Sequence, residues 1–206
     1  MNPVVSLKEI LSIVELRLGE IGLRRKGNTF YLRKADNWGI VNFQKSGKST
    51  ARVILLTVNV GVALGILTEF FGHQATQVPS IDRCQWRKRL GFFLPKPSDT
   101  WWRIDATTRP TAIAEEILDA LLKLAFPEMK KFMADANLRE LWASGDAPGL
   151  TEVERLKCLS LLLKLTGAGP DALDGVRSAL QRASDGGPSA AAIALHLSRL
   201  DELHKV

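Results

Sequence analysis

Cysteine, histidine and tyrosine are all scarce in this sequence. It has two cysteines (Cys84 and Cys158), three histidines (His73, His196 and His204) and one tyrosine among 206 residues. Two distant cysteines make no disulfide framework, and a structural zinc site needs closer ligand spacing. Both are read as reduced core thiols of a cytoplasmic protein, because free cysteine packs as a small hydrophobe. The histidines form neither HExxH nor a His/Cys cluster, so no metal or cofactor is expected. His196 and His204, eight apart, read as ordinary helix residues.

No apolar run reaches the ~18 residues that a membrane helix needs. The richest stretch, Val53 to Leu67, is broken by Thr57, Asn59, Gly61 and Gly65. Glu9, Glu15 and Glu20 interrupt any basic-then-apolar leader pattern, so neither a membrane association nor export is expected.

Nucleotide and hydrolase motifs are missing as well. Gly47-Lys48-Ser49 ends like a phosphate-binding loop, but the first glycine of that motif would fall at Asn42. The segment reads as a hairpin turn. Gly167-Ala168-Gly169 follows a helix, where a dinucleotide site needs a strand, and reads as a helix stop. Gly-x-Ser-x-Gly does not occur. Cys84 is a candidate nucleophile because Arg83, Arg87, Lys88 and Arg89 would favour its thiolate, but no base accompanies it. His73 is the one histidine placed to act as an acid or base.

What the chain does have is an uneven charge. The net +6 divides into 17 basic and 8 acidic side chains over residues 1–110, and 11 and 14 over residues 111–206. A +9 segment beside a −3 segment suggests mutual attraction or an anionic partner.

Hydrophobic periodicity gives an α+β fold. Leu7, Ile10, Leu11, Val14, Leu18 and Ile21 predict a helix over 6–21, with Ser6 and Glu9 as a capping box and Gly22 as its stop. Thr29 to Lys34, Trp38 to Lys45 and Arg52 to Val60 read as an antiparallel meander, and Thr100 to Asp105 as a short strand. Trp101 and Trp102 then point to opposite sides. Residues 72–80 read as an exposed loop, and Ile81 to Leu94 as a short basic helix. Helices follow over Pro110–Phe126, about Pro127–Ala136 and Asn137–Ser144. Beyond a linker at 145–149 lie three more, starting at Thr151 with Glu154, at Pro170 and at Pro188, separated by Gly167–Gly169 and Gly186-Gly187. The expected architecture is an antiparallel sheet of about four strands packed with helices (1–136), followed by an all-helical C-terminal extension (137–206) that docks on the first domain or a second subunit.

Two side-chain sets stand out. The basic set is Arg24, Arg25 and Lys26, then Arg33 and Lys34, then Arg83, Arg87, Lys88 and Arg89. On the expected helix Arg83 and Arg87 share a face, with Trp86 and Leu90 on another. The polar set lies within apolar strands: Asn42 and Gln44 point one way with Trp38, and Thr57 and Asn59 pair off on the next strand. A buried amide without a partner costs about 1–3 kcal/mol, so these residues either form one polar, solvent-facing side of the sheet or line a concave binding face beside Trp38.

Four segments in order also resemble the bacterial family known as domain of unknown function 4304. They are Gly22–Tyr31, Trp38–Ser46, Thr57–Val62 and Cys84–Gly91, followed by the Trp101-Trp102 pair, and the resemblance covers about residues 1–135. It implies a compact cytoplasmic α+β domain and no established activity. Gln85 departs from it, standing where His is expected. A chemistry that used that His would be missing here.

Three readings follow. The first is a non-enzymatic protein-binding module, of which an immunity-like protein is one form, using Arg24, Arg25, Lys26, Trp38, Asn42, Gln44, Asn59, Trp86, Arg87, Arg89 and Trp102; a homodimer is a variant of it. The second is nucleic-acid binding through the basic half. The third is an enzyme for an anionic small molecule, with Arg25, Arg87 and Arg89 binding charge and His73 or Asp105 as base.

Overall fold

The computed structural model describes residues 2–167, 170–184 and 187–203. Ala168, Gly169, Gly186 and His204 lie outside the described residues, and with them the expected stops there and the expected helical place of His204. The chain divides into two compact units, residues 1–133 and 134–206.

In the first unit, helix α1 spans Pro3–Glu20. It starts three residues before the expected point. Asn2 is its N-cap, its side-chain oxygen accepting from Val4 N (2.8 Å), and Pro3 takes a first-turn position where no N–H is needed. Ser6 is not a cap; it is buried inside the helix. The helix ends as expected at Gly22, whose φ of 91° lets Leu23 N reach back to the Leu18 carbonyl.

Six antiparallel strands follow: β1 Arg24–Lys26, β2 Thr29–Lys34, β3 Asn37–Lys45, β4 Ile54–Ala63, β5 Trp86–Arg89 and β6 Trp102–Ile104. Their order is β1-β2-β3-β4-β5, and β6 pairs the first part of β4 beside β5. The β2–β3–β4 meander is as expected. The expected helix over 81–94 is corrected: it is a 3-10 turn at Ile81–Arg83, strand β5, and a second 3-10 turn at Leu90–Phe93. The reason is tertiary. β4 is apolar and central, and without β5 its backbone would lack pairing partners on that side; such pairing overrides weak local preference. Helix α2 (Gly65–Phe70) was not anticipated either.

Register sorts the strand side chains onto two faces. One carries Phe30, Val41, Phe43, Val58, Val60, Trp86 and Ile104, all buried. The helices α1, α3 (Pro110–Ala120) and α4 (Phe126–Phe132) supply the apolar stripes of the same core. Gly39 belongs to this face: a Cβ there would lie 2.8 Å from the Met129 methyl, so α4 reaches the sheet at that point. Between α3 and α4 the chain widens into a π turn at Leu121–Ala125, where Phe126 N bonds the Leu121 carbonyl. Pro127 has no N–H to continue the α ladder, which accounts for a register shift just before it.

The second unit holds α5 (Asp135–Ala143), α6 (Glu152–Leu165), α7 (Pro170–Ser184) and α8 (Ala190–Glu202). Thr151 and Glu154 form the expected capping box. Leu156, Leu180 and Ile193 make one core cluster. The Arg155 guanidinium joins Glu152 (2.6 and 2.7 Å) and donates to the Trp142 carbonyl, tying α6 to the end of α5. No described helix is long and apolar enough to cross a membrane.

Candidate functional site

The second face of the sheet is where the expected polar and basic residues meet. Cross-strand pairs Lys26–Thr29, Thr29–Asn42, Asn42–Asn59 and Asn59–Arg89 form one continuous row over five strands. The next row away from the β3–β4 turn runs Arg24–Tyr31–Ile40–Gly61–Arg87. Gln44 and Thr57 pair on the other side of the first row. Alternation along each strand puts all of these on the same side.

The amides bond one another. Asn59 Nδ2 donates to Gln44 Oε1 (2.9 Å), and Asn42 Nδ2 donates to Thr29 Oγ1 (2.9 Å). Asn59 is nearly buried at the base of the row, whereas Asn42 is half-buried and Gln44 exposed. This geometry answers the cost of the amides: each inner donor is satisfied, and the outer groups remain available. Thr57 is covered, its hydroxyl donating to the Thr100 carbonyl (3.0 Å).

The loop at 72–80 is exposed at most positions, as expected, but it also closes part of this face. Ala75 and Pro79 are buried. Trp38 Nε1 donates to the Ala75 carbonyl (2.7 Å), and Trp38, Ile40, Ala63 and Cys84 form a cluster with Tyr31, Val78 and Ile81 against it. Gly61 permits the close approach: a Cβ there would sit 2.7 Å from Ile81 Cδ1 and 2.9 Å from Cys84 Sγ. What stays open is the row of Lys26, Thr29, Asn42 and Arg89, with Gln44 beside it.

The structure brings some expected site residues together and separates others. Arg24, Lys26, Asn42, Gln44, Asn59, Arg87 and Arg89 share the second face. Arg25 projects from the first. It bonds Glu15 on α1 (2.6 Å) and lies over Phe30, so it fastens the helix to the sheet. Arg87 spends its guanidinium on the Asp82 and Cys84 carbonyls (3.1 and 3.0 Å). Arg89 pairs with Asp99 (2.5 Å) and lies over Trp101, and that pairing keeps the Asp99 carboxyl below its ordinary pKa.

The indoles expected as surface anchors are interior. Trp38, Trp86 and Trp102 are buried, Trp86 against Phe132 and Phe93, and Trp102 with its N–H on Glu116 (2.9 Å). Trp86 lies on the opposite face from Arg87, as the helical reading also had it, but here through strand alternation. Trp101, half-exposed over Arg89, and Thr29 belong to the open face and were not among the expected binding residues, although Trp101 was expected to point away from Trp102. The hairpin register, which sets Thr29 against Asn42, is the signal that could have found Thr29.

Neither Cys84 nor Asp105 is set up as a reacting group. Burial pushes the Cys84 thiol up to about 12 despite Arg87 nearby, so the neighbouring cations do not produce a thiolate. Asp105 accepts from Thr107 and Arg103, which hold its carboxyl at about 2 and make it a poor base. Arg25 faces away from Arg87 and Arg89. Gln85, at the departure from the family pattern, is buried, accepting from Leu64 N and donating to the Arg83 carbonyl (2.9 and 3.0 Å). No group of three or more metal-ligating side chains occurs among the described residues.

No curated protein and no solved structure matches the chain. A family model described as Domain of unknown function (DUF4304) matches residues 16–131, which takes in the whole sheet, the loop over its second face and α3. The chain therefore belongs to the DUF4304 family.

Proposed function

We propose that the protein is a binding module whose open sheet face docks an acidic surface of a protein partner in the cytoplasm. The observation that carries this reading is the row Lys26–Thr29–Asn42–Asn59–Arg89, in which hydrogen-bonding and cationic groups lie in strict register on a rigid support. A fixed array of this kind presents donors without ordering cost at the moment of binding. Both cysteines are buried thiols, which suits a reducing compartment.

A protein partner fits better than a nucleic acid. Stacking of successive bases needs several exposed rings; the indoles of Trp38, Trp86 and Trp102 are inside, and Trp101 is half-exposed with Arg89 over its ring. In the open row Arg89 is matched by Asp99, while Lys26 makes no ion pair among the described residues; that is charge for a local acidic patch of a protein rather than for the counterion release of a phosphate chain.

The test uses nuclease-treated extract of the source cell and compares the full chain with a Lys26→Glu/Gln44→Glu variant. The expected result is a stoichiometric acidic protein that the wild type retains and the variant loses. Equal retention by both, or no stoichiometric protein, removes the reading. Retention of DNA or RNA before nuclease treatment, with affinity falling steeply in salt, would replace it with nucleic-acid binding.

A further inference from the structure

The second face continues past the amide row into a cleft of about 520 Å³ lined by Arg24, Tyr31, Arg33, Trp38, Thr76 and Val78. Register fixes its floor. Arg24 on β1 pairs with Tyr31 on β2, and Arg33 on β2 pairs with Trp38 on β3, so all four side chains project from one face. The far wall is the 72–80 loop, pinned by the Trp38–Ala75 hydrogen bond and packed through Val78.

The two guanidiniums differ in a useful way. Arg33 is held in place: it lies over the Trp38 ring at 5.2 Å, its Nε donates to the Ala35 carbonyl (2.9 Å) and its Nη2 to Asp36 (3.0 Å). Asp36 is well exposed, and an ion pair in that setting is weak enough to yield to a competing anion. Arg24 is exposed and makes no ion pair or hydrogen bond among the described residues. A guanidinium ordered over the Trp38 ring beside an uncompensated one, with Tyr31 lining the same cleft, suits an oxyanion carried on an apolar body. The volume falls in the usual range for small-molecule sites, roughly 300–1,000 Å³, and exceeds what a bare inorganic anion fills.

We propose that this cleft binds a small organic anion, its carboxylate or phosphate head held between Arg24 and Arg33 and its apolar part against Tyr31 and Val78. The inference goes beyond the docking reading and does not depend on it, because the amide row takes no part in the cleft.

The test is calorimetric titration of the full chain at low salt with phenyl phosphate, benzoate and inorganic phosphate. Saturable 1:1 binding of phenyl phosphate or benzoate is expected, at least tenfold tighter than that of inorganic phosphate; whichever aromatic anion wins identifies the head group. Arg24→Gln and Arg33→Gln should each weaken it tenfold or more while leaving the thermal midpoint in place. Thr76→Glu, which sets a like charge at the rim from a loop position, should abolish it. Absence of saturable binding by both aromatic anions, affinity no better than for inorganic phosphate, or affinity unchanged in the Arg24→Gln/Arg33→Gln double variant would overturn the proposal.

Discussion

Asn59 on β4 lies directly opposite Arg89 on β5, and on its other side directly opposite Asn42 on β3. One buried amide thus links a cation near one edge of the sheet to the amide row at its centre. The relationship exists only because residues 86–89 form a strand. On a helix Arg89 would have no fixed place relative to Asn59.

The Asn59–Gln44 hydrogen bond should be measurable as coupling. Asn59→Ala removes a nearly buried donor whose acceptor, Gln44, stays exposed and can turn to water. The expected cost is about 1 kcal/mol in urea unfolding. In a double-mutant cycle with Gln44→Ala the coupling should be about 0.5–1.5 kcal/mol. Full additivity would mean that the two amides do not bond in solution.

Trp86 separates packing from polarity. It is fully buried, and its Nε1 has no hydrogen-bond partner among the described residues. Trp86→Ala should cost about 3–5 kcal/mol through the cavity it leaves. Trp86→Phe should cost much less, since it keeps most of the ring and removes a buried, unsatisfied donor. Chemical denaturation midpoints of the two variants decide this, and similar losses would contradict it.

Two glycines on neighbouring strands should respond unequally to the same change. At Gly39 an added Cβ meets the far ends of Met129 and Met133, which are flexible; at Gly61 it meets Ile81 and the Cβ of Cys84. Gly39→Ala should cost under about 1.5 kcal/mol, and Gly61→Ala about 1–3 kcal/mol with loosening of the 72–84 segment. Limited proteolysis reads the second effect, with new cleavage between residues 72 and 84 expected only in Gly61→Ala.

His196 should make the second unit acid-sensitive. Burial, with repulsion from Lys157 and Arg199, pulls its pKa from 6.5 down to about 4, and its Nε2 lies 2.8 Å from Ser160 Oγ. Between those two values the unfolded chain binds a proton that the folded chain does not. Stability is therefore complete above about pH 6.5 and falls as pH drops toward 4. His196→Gln should flatten that part of the profile relative to wild type in thermal unfolding monitored by circular dichroism. Parallel profiles would contradict the assignment.

The parts of the fold that are legible in the sequence are those decided locally. The β2–β3–β4 meander follows from alternating residues and short turns, the end of α1 from Gly22, and the start of α6 from Thr151 and Glu154. The parts that escape are decided by distant partners. Trp86-Arg87-Lys88-Arg89 has too few residues to show a period of two against a period of 3.6, and the unpaired side of β4 settles the matter. β1 is three residues long and carries three cations, so nothing local marks it as a strand. The same cause governs the site. Alternation placed Asn42 with Gln44, and Thr57 with Asn59, correctly. Whether an indole is inside or outside depends on what covers it, and the loop over Trp38 cannot be read from residues 72–80 alone.

The docking face is tested most directly by the side-chain amide and indole N–H signals in a two-dimensional ¹⁵N–¹H spectrum, recorded as the isolated partner is added. The Asn42 and Gln44 side-chain amides should shift or broaden in step with binding, with Asn59 following, while the Trp86 and Trp102 indole signals stay where they are. Unmoved Asn42 and Gln44 signals at saturation, with shifts confined to α1 and α3, would show that the partner binds the helical side and that the open face is not the recognition surface.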